Sequence, residues 1–199
     1  MMSKTHIAVG LASAFALRLP NTVEAALPVV VGAAIGSLIF DIDTKSTSYV
    51  KDALEGRINV GIIVGMSVFI DFLFQGIITT SVLGANIIVV SIGILGLLLV
   101  GIFARKSKHR SFSHSFLALF LEGLSLAFIC PPVVPSFIIA CISHLLLDVM
   151  NKKGIKLFFP AKKDFCLKWF YSDKTANKVF LIVGCSCLVL SIGFCVIIS

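Results

Sequence analysis

Long, uninterrupted apolar runs separated by short polar connections dominate this sequence. The runs fall near residues 6–18, 24–40, 58–78, 84–104, 113–132, 135–150 and 179–198. The longest match the ~20 residues that an α-helix needs to cross a bilayer. They lack the alternating polar positions of outer-membrane barrel strands, which favours helices. The pattern predicts an all-α fold, a polytopic transmembrane helical bundle with about five to seven membrane-embedded helices.

Two of the runs are short for a complete crossing. The run 6–18 ends at Arg18, Pro20 and Asn21, and at ~1.5 Å per residue it does not reach across the apolar core. We interpret it as a re-entrant or partly inserted helix. The run 135–150 is also short, so its ends must reach polar surroundings.

The composition agrees with this class. The chain is 58% hydrophobic and 14% charged, with a mean hydropathy of +1.05, whereas soluble domains carry about a quarter charged residues. Such a chain cannot cover a globular surface with polar groups, so we predict one integral-membrane domain over residues 1–199. Residues 161–199 then form a basic loop and a C-terminal transmembrane helix. The six cysteines lie mostly within apolar runs, and we interpret them as small buried hydrophobes.

The basic residues indicate the orientation. Of the 17 lysines and arginines, 15 lie in three connections, 41–57, 105–112 and 151–178. Threading the apolar runs alternately brings these connections to one side, which the positive-inside rule identifies as cytoplasmic. The net charge of +7 fits contact with anionic membrane lipid. No basic-aromatic binding module is visible, so no nucleic-acid partner is expected. The oligomeric state is left open.

The few histidines and several aspartates also fall at the cytoplasmic ends of the apolar runs. His and Asp together are typical ligands of zinc, manganese or iron, and differ from the oxygen-only sites of calcium. We therefore predict a divalent-metal site, with zinc first and manganese or iron as alternatives. Seven candidates would be enough for two metals. The predicted ligands are His6, Asp41, Asp43, His109, His114, His144 and Asp148.

Each element of this site also has a simpler interpretation. His144 and Asp148 lie four apart and share a helix face, but they could be an interfacial histidine and a helix-ending acid. Asp41-Ile42-Asp43 could be a polar stop to a membrane segment.

The segment from His109 to His114 could bind lipid headgroups through its basic charge, or Arg110 could clamp a phosphate bidentately. Two acids, Asp71 and Glu122, lie deeper in apolar runs. Intramembrane carboxylates are functional candidates by default. Glu122 falls eight residues after His114, so a continuous helix would place both on one face. Asp71 has no partner nearby in the sequence.

The order of these motifs resembles the YdjM family of membrane-bound metal-dependent hydrolases. The match covers about residues 5–160 and departs mildly, with Phe40, Ser111, Ser113 and Asn151 where the family often has Pro, Gly, Thr and Thr. The matching motifs are Thr5-His6, Asp41-Ile42-Asp43, His109-Arg110-Ser111-Phe112-Ser113-His114-Ser115, and His144 through Asp148 to Gly154.

The resemblance and the candidate ligands lead to one functional expectation. We expect a metal-dependent hydrolase of the inner (cytoplasmic) membrane, acting on a phosphoester or lipid headgroup bond at the cytoplasmic face. The expected substrate is a phospholipid or another phosphoester. Asp43, Arg110 and Asp148 are the predicted catalytic residues, with Arg110 holding the anion. One of Asp41, Asp43 or Asp148 would act as the base or orient a metal ligand. The alternative is a metal-binding transport or regulatory membrane protein without turnover.

Overall fold

The computed structural model describes residues 1–43, 47–108, 110–169, 171 and 174–198, with the backbone alone at 42, 43, 47–50 and 174. Within these residues the chain is helical, without a β-strand, which confirms the all-α prediction. Short 3₁₀ turns connect the helices at Ile39–Asp43, Phe112–His114 and Pro131–Val133. The helices are α1 (Ser3–Arg18), α2 (Val23–Leu38), α3 (Thr47–Leu73), α4 (Ile77–Leu83), α5 (Ile87–Lys106), α6 (Phe116–Ile129), α7 (Val134–Met150) and α8 (Lys174–Ile198).

Five stretches are long and apolar enough to cross a membrane, as the apolar pattern predicted. They coincide with α2, most of α3, α5, α7 and α8. Helix α6, with 14 residues, and helix α1, with 16 residues, are shorter. The five spans and these two shorter helices agree with a polytopic helical bundle.

Polar side chains mark the beginnings of several helices. Thr22 caps α2 by accepting a hydrogen bond from the amide of Ala25 at 3.1 Å. Ser115 caps α6 in the same way through the amide of Ala118 at 3.2 Å. These side chains satisfy amides that a helix start leaves without a partner. Because Ser115 is extended, His114 lies in the preceding 3₁₀ turn, and the prediction that it shares a continuous helix face with Glu122 is wrong.

Helix α3 begins well before the apolar run that predicted it. The polar stretch 51–57 is rich in good helix formers, so the helix continues through it instead of forming a loop. This extension docks onto the start of α1, where the Asp52 carboxylate accepts hydrogen bonds from the Ser3 amide at 2.8 Å and the Ser3 hydroxyl at 3.0 Å.

Helix α4 is an additional short helix in the connection between α3 and α5. Its first turn is held by Asp71, whose carboxylate accepts from the amides of Ile78 at 3.1 Å and Thr79 at 2.6 Å. The buried Asp71 therefore has a structural role as a cap, which explains why an acid lies inside an apolar run.

Helices α2 and α7 form the closest pair at the centre of the bundle. A Cβ atom at Gly32 would collide with the backbone carbonyl of Val133, and one at Gly36 would lie 2.5 Å from that of Phe137. Glycines at this spacing let the two backbones approach closely, as is common between membrane helices. Helix α1 packs against both α2 and α7, α8 covers α1, and α5 pairs with α6.

Residues 151–169, between α7 and α8, form an irregular segment that several backbone hydrogen bonds hold in place. An antiparallel bridge joins Ile155 to Phe165. The amides of Leu167 and Trp169 donate to the last carbonyls of α7 at 2.7 and 3.1 Å, and the Lys156 amide donates to the Arg110 carbonyl at 3.2 Å. The connection is thereby fixed beside the segment that contains Arg110.

Candidate metal centre

Five of the seven predicted ligands meet at one end of the bundle. His6 lies in the first turn of α1, Asp41 in the 3₁₀ turn after α2, and His114 in the 3₁₀ turn before α6. His144 and Asp148 both lie in the last part of α7. The three histidines and Asp148 are 0–1% exposed, whereas the Asp41 side chain is 20% exposed. Residues far apart in the sequence thus form one compact cluster with Asp41 on its open side.

Two histidine nitrogens face two carboxylates in this cluster. The Nε2 atom of His114 lies 3.3 Å from Oδ2 of Asp148 and 3.8 Å from Oδ1 of Asp41. The Nε2 atom of His144 lies 3.8 and 4.0 Å from the same two oxygens. In a tetrahedral site with ligands ~2.0–2.1 Å from zinc, neighbouring ligand atoms are ~3.4 Å apart. The observed separations are close to that spacing.

His6 joins the cluster by stacking on His144. Their rings stack with centroids 3.8 Å apart and an interplanar angle of 14°. The potential ligand atoms of His6, Asp41 and His144 all lie within 4.8 Å of one another, as do those of His114, His144 and Asp148. Within the described residues, both ring nitrogens of His6 and Nε2 of His144 are buried without a hydrogen-bond partner. Buried polar atoms are normally satisfied, and a cation would satisfy one nitrogen of His6 and the Nε2 atom of His144.

The neighbouring contacts orient the histidine rings. The Nδ1 atom of His144 lies 2.7 Å from the backbone carbonyl of Ser37. Since a carbonyl can only accept, Nδ1 carries the proton and the Nε2 lone pair points at the cluster. The Ser113 hydroxyl lies 2.9 Å from Nδ1 of His114, and the Phe40 ring packs against both His114 and His144. This second set of contacts fixes the Nε2 atoms where a metal would need them.

Arg110 is engaged with the cluster rather than projecting from it. One guanidinium nitrogen donates to Oδ1 of Asp148 at 3.0 Å and another donates to the Lys153 carbonyl at 2.9 Å. The Met1 amino group lies 3.6 Å from the same Asp148 oxygen. Arg110 has a backbone φ of 62°, a region that non-glycine residues adopt only when their surroundings hold them there. Its positive charge therefore stands next to the cluster in a fixed position.

Two predicted ligands fall outside the described part of the chain, namely His109 and the side chain of Asp43. The two deep acids do not join the cluster: Asp71 caps α4, and Glu122 is buried on α6. The sequence alone did not predict the contributions of the Ser37 carbonyl and the Met1 amino group. Both act through backbone atoms, which leave no side-chain signal in a sequence. Ser113 is part of the predicted motif, and its position next to His114 in the sequence is the signal that could have identified its contact with this histidine.

The fold and the cluster define a class: a polytopic helical membrane protein with a buried His/Asp centre at one end of its bundle. A family model described as YdjM inner membrane protein matches residues 1–198. The chain therefore belongs to the YdjM inner membrane protein family, as the motifs predicted. No curated protein and no solved structure matches the chain.

Proposed function

We propose that this protein is a metal-dependent hydrolase that acts on a phosphoester or a lipid headgroup bond at the cytoplasmic face of the inner membrane. One observation carries the proposal: His6, Asp41, His114, His144 and Asp148 converge from four separate elements. Among the described residues, both ring nitrogens of His6 and Nε2 of His144 are buried there without a hydrogen-bond partner. The cytoplasmic assignment rests on the basic residues that surround this end of the bundle.

The donor set favours zinc, with manganese or iron as alternatives, because it mixes imidazoles with carboxylates. His144 belongs to both three-residue groups, yet its Nε2 has a single lone pair and can bind only one ion. The described residues therefore fit one metal ion. A second ion would have to draw on His109 and Asp43.

A divalent metal bound here would supply a Lewis acid for polarising a phosphoryl oxygen and water. The chain's own groups would do the rest. Asp41, the most exposed of the five, is suited to accept a proton from water at the open side. Asp148 is held by Arg110 at 3.0 Å, so it is suited to a fixed position as a ligand. Arg110, 16% exposed, provides positive charge for an anionic substrate group.

Metal analysis of the purified protein is the first test. His114→Ala and His144→Ala should lower the bound zinc or manganese strongly, because each removes a donor atom. Cys185→Ala is the matched control, since this cysteine is exposed on α8 and belongs to neither three-residue group. Equal metal content in all three variants would mean that His114 and His144 do not bind metal and that the cluster is an ordinary set of interfacial ion pairs. A screen of phosphoesters and phospholipids on the metal-loaded protein then tests turnover.

Burial favours a second candidate, a metal-binding transport or regulatory protein without turnover. Four of the five cluster side chains are at most 1% exposed, so substrate access depends on the side where Asp41 and Arg110 lie. A protein that binds metal tightly but hydrolyses nothing across a broad phosphoester and lipid panel would support this candidate over the hydrolase.

A further inference from the structure

The connection between α7 and α8 carries an unusual combination of exposed groups. We call residues 151–171 the basic loop; the structure describes all of it except residue 170. The loop contains six lysines and a single acid, Asp164. It also exposes large apolar and aromatic side chains that lie outside any helix. These are Phe158, Leu167, Trp169 and Tyr171, each at least half exposed.

The loop lies where a membrane surface would be. It joins the end of α7 to the start of α8, and both helices contain stretches long enough to cross a bilayer. The amides of Leu167 and Trp169 bond to the carbonyls of Val149 and Met150, so these two residues run alongside the last turn of α7. Tryptophan and tyrosine concentrate at this depth in membrane proteins because one end of each ring is apolar and the other polar.

The loop presents its charge on a fixed backbone. The Ile155–Phe165 bridge and the hydrogen bonds to α7, Phe116 and Arg110 hold it in place. The single acid, Asp164, is 3.8 Å from Lys156, which leaves an excess of positive charge. Lys152 lies 3.8 Å above the Tyr171 ring, so a cation and an aromatic ring are presented side by side.

We propose that the basic loop is a binding surface for anionic phospholipids of the leaflet that it contacts. The lysines would pair with headgroup phosphates while Trp169, Tyr171, Phe158 and Leu167 insert among the upper parts of the acyl chains. Juxtamembrane lysines attract anionic lipid through the surface potential. This inference does not rest on the proposed hydrolysis, since it concerns the lipid around the protein and not its chemistry.

The chain contains its own probe for this surface, because Trp169 is its only tryptophan. The full-length protein is reconstituted into mixed vesicles of phosphatidylcholine and phosphatidylglycerol. In one preparation the phosphatidylglycerol is brominated near the headgroup end of its acyl chains, and in the other an equal amount of phosphatidylcholine is brominated. Bromine quenches tryptophan at contact, so unequal quenching measures which lipid surrounds Trp169. We expect brominated phosphatidylglycerol to quench several-fold more strongly.

Charge removal shows whether the lysines cause this preference. Replacing Lys152, Lys153, Lys162 and Lys163 by Gln should abolish it, because each juxtamembrane lysine contributes up to roughly five-fold in attraction to an anionic surface. The matched control is Arg105→Gln with Lys106→Gln, which removes exposed charge from the end of α5 and should leave most of the preference. The control must be compared with Lys162→Gln plus Lys163→Gln, which removes the same number of charges from the loop.

Three results would overturn the proposal. Equal quenching by the two brominated lipids in the unaltered protein would mean that no anionic lipid is enriched at the loop. Emission that is red-shifted and quenched by neither lipid would mean that Trp169 projects into water. Loss of the preference on adding soluble glycerol phosphate would mean that the lysines form a small-molecule phosphate site instead of a lipid surface.

Discussion

The close packing of α2 against α7 sets the position of His144, and Gly36→Ala tests this directly. A Cβ atom at residue 36 would lie 2.5 Å from the Phe137 carbonyl oxygen and 3.2 Å from the Ala140 Cβ atom. Carbon–oxygen contacts across helix interfaces are ~3.3 Å or longer, so the helices would have to separate by roughly 0.8 Å at this point. The hydrogen bond from His144 to Ser37 joins the same two helices and is 2.7 Å long. The same separation would stretch it to about 3.5 Å, beyond the usual range.

Two effects should follow from that displacement. Overpacking of this kind costs about 1–3 kcal/mol of stability, so the variant should unfold at a lower temperature in detergent. Loss of the contact that orients a ligating histidine typically weakens metal affinity by ~10–100-fold. Thermal unfolding and competition with a metal chelator measure the two effects separately on the same preparation.

Gly65→Ala on α3 is the matched control. A Cβ atom there would meet nothing within 4 Å, and alanine is favoured over glycine inside a helix by up to ~1 kcal/mol. The control should therefore keep or raise the unfolding temperature and leave metal affinity unchanged. If Gly36→Ala and Gly65→Ala behave alike in both measurements, the close α2–α7 contact does not set the position of His144.

Three further predictions concern topology, Arg110 and Asp71. In a Cys166→Ser background, an impermeant maleimide applied to intact cells should label a cysteine at Asn86 and miss one at Lys163; labelling at Lys163 would contradict the cytoplasmic assignment. Arg110→Lys should keep most of the metal but cut turnover in any hydrolysis assay that the screen provides, because lysine cannot make two planar hydrogen bonds; full activity would remove Arg110 from the site. Asp71→Ala should cost about 0.5–2 kcal/mol through loss of the α4 cap, and Asp71→Asn less, both with unchanged metal content; a changed metal content would show that Asp71 is coupled to the cluster.

The helical class and the convergence of the cluster could be predicted because both follow from membrane topology. Lysine and arginine counts alone determined which ends of the apolar runs share a side. That threading already brought Asp41, His114 and Asp148 to one end, where the structure has them in contact. The signal was strong because histidine is rare in this chain.

The remaining features depend on contacts that a hydropathy pattern does not encode. The break between α3 and α4 lies inside the predicted apolar run 58–78, and the Asp71 side chain holds the start of α4 by accepting from the amides of Ile78 and Thr79. His114 and Glu122 do not share a helix face, because Ser115 caps a new helix between them. The orientation of His144 depends on the Ser37 carbonyl, and a carbonyl is present at every residue, so nothing in the sequence distinguishes this one.

The distribution of the cluster along the chain has a consequence for biosynthesis. His6 leaves the ribosome before α2 to α6 have been made, whereas His144 and Asp148 follow only after them. Until α7 enters the bilayer and packs against α2, His6 lacks the His144 ring on which it stacks, and His114 lacks the Asp148 carboxylate. The cluster therefore exists only in a nearly finished molecule, and an ion that binds it selects the assembled bundle over every partially inserted form. Metal supply during growth should then affect how much folded protein accumulates in the membrane, separately from any effect on its activity.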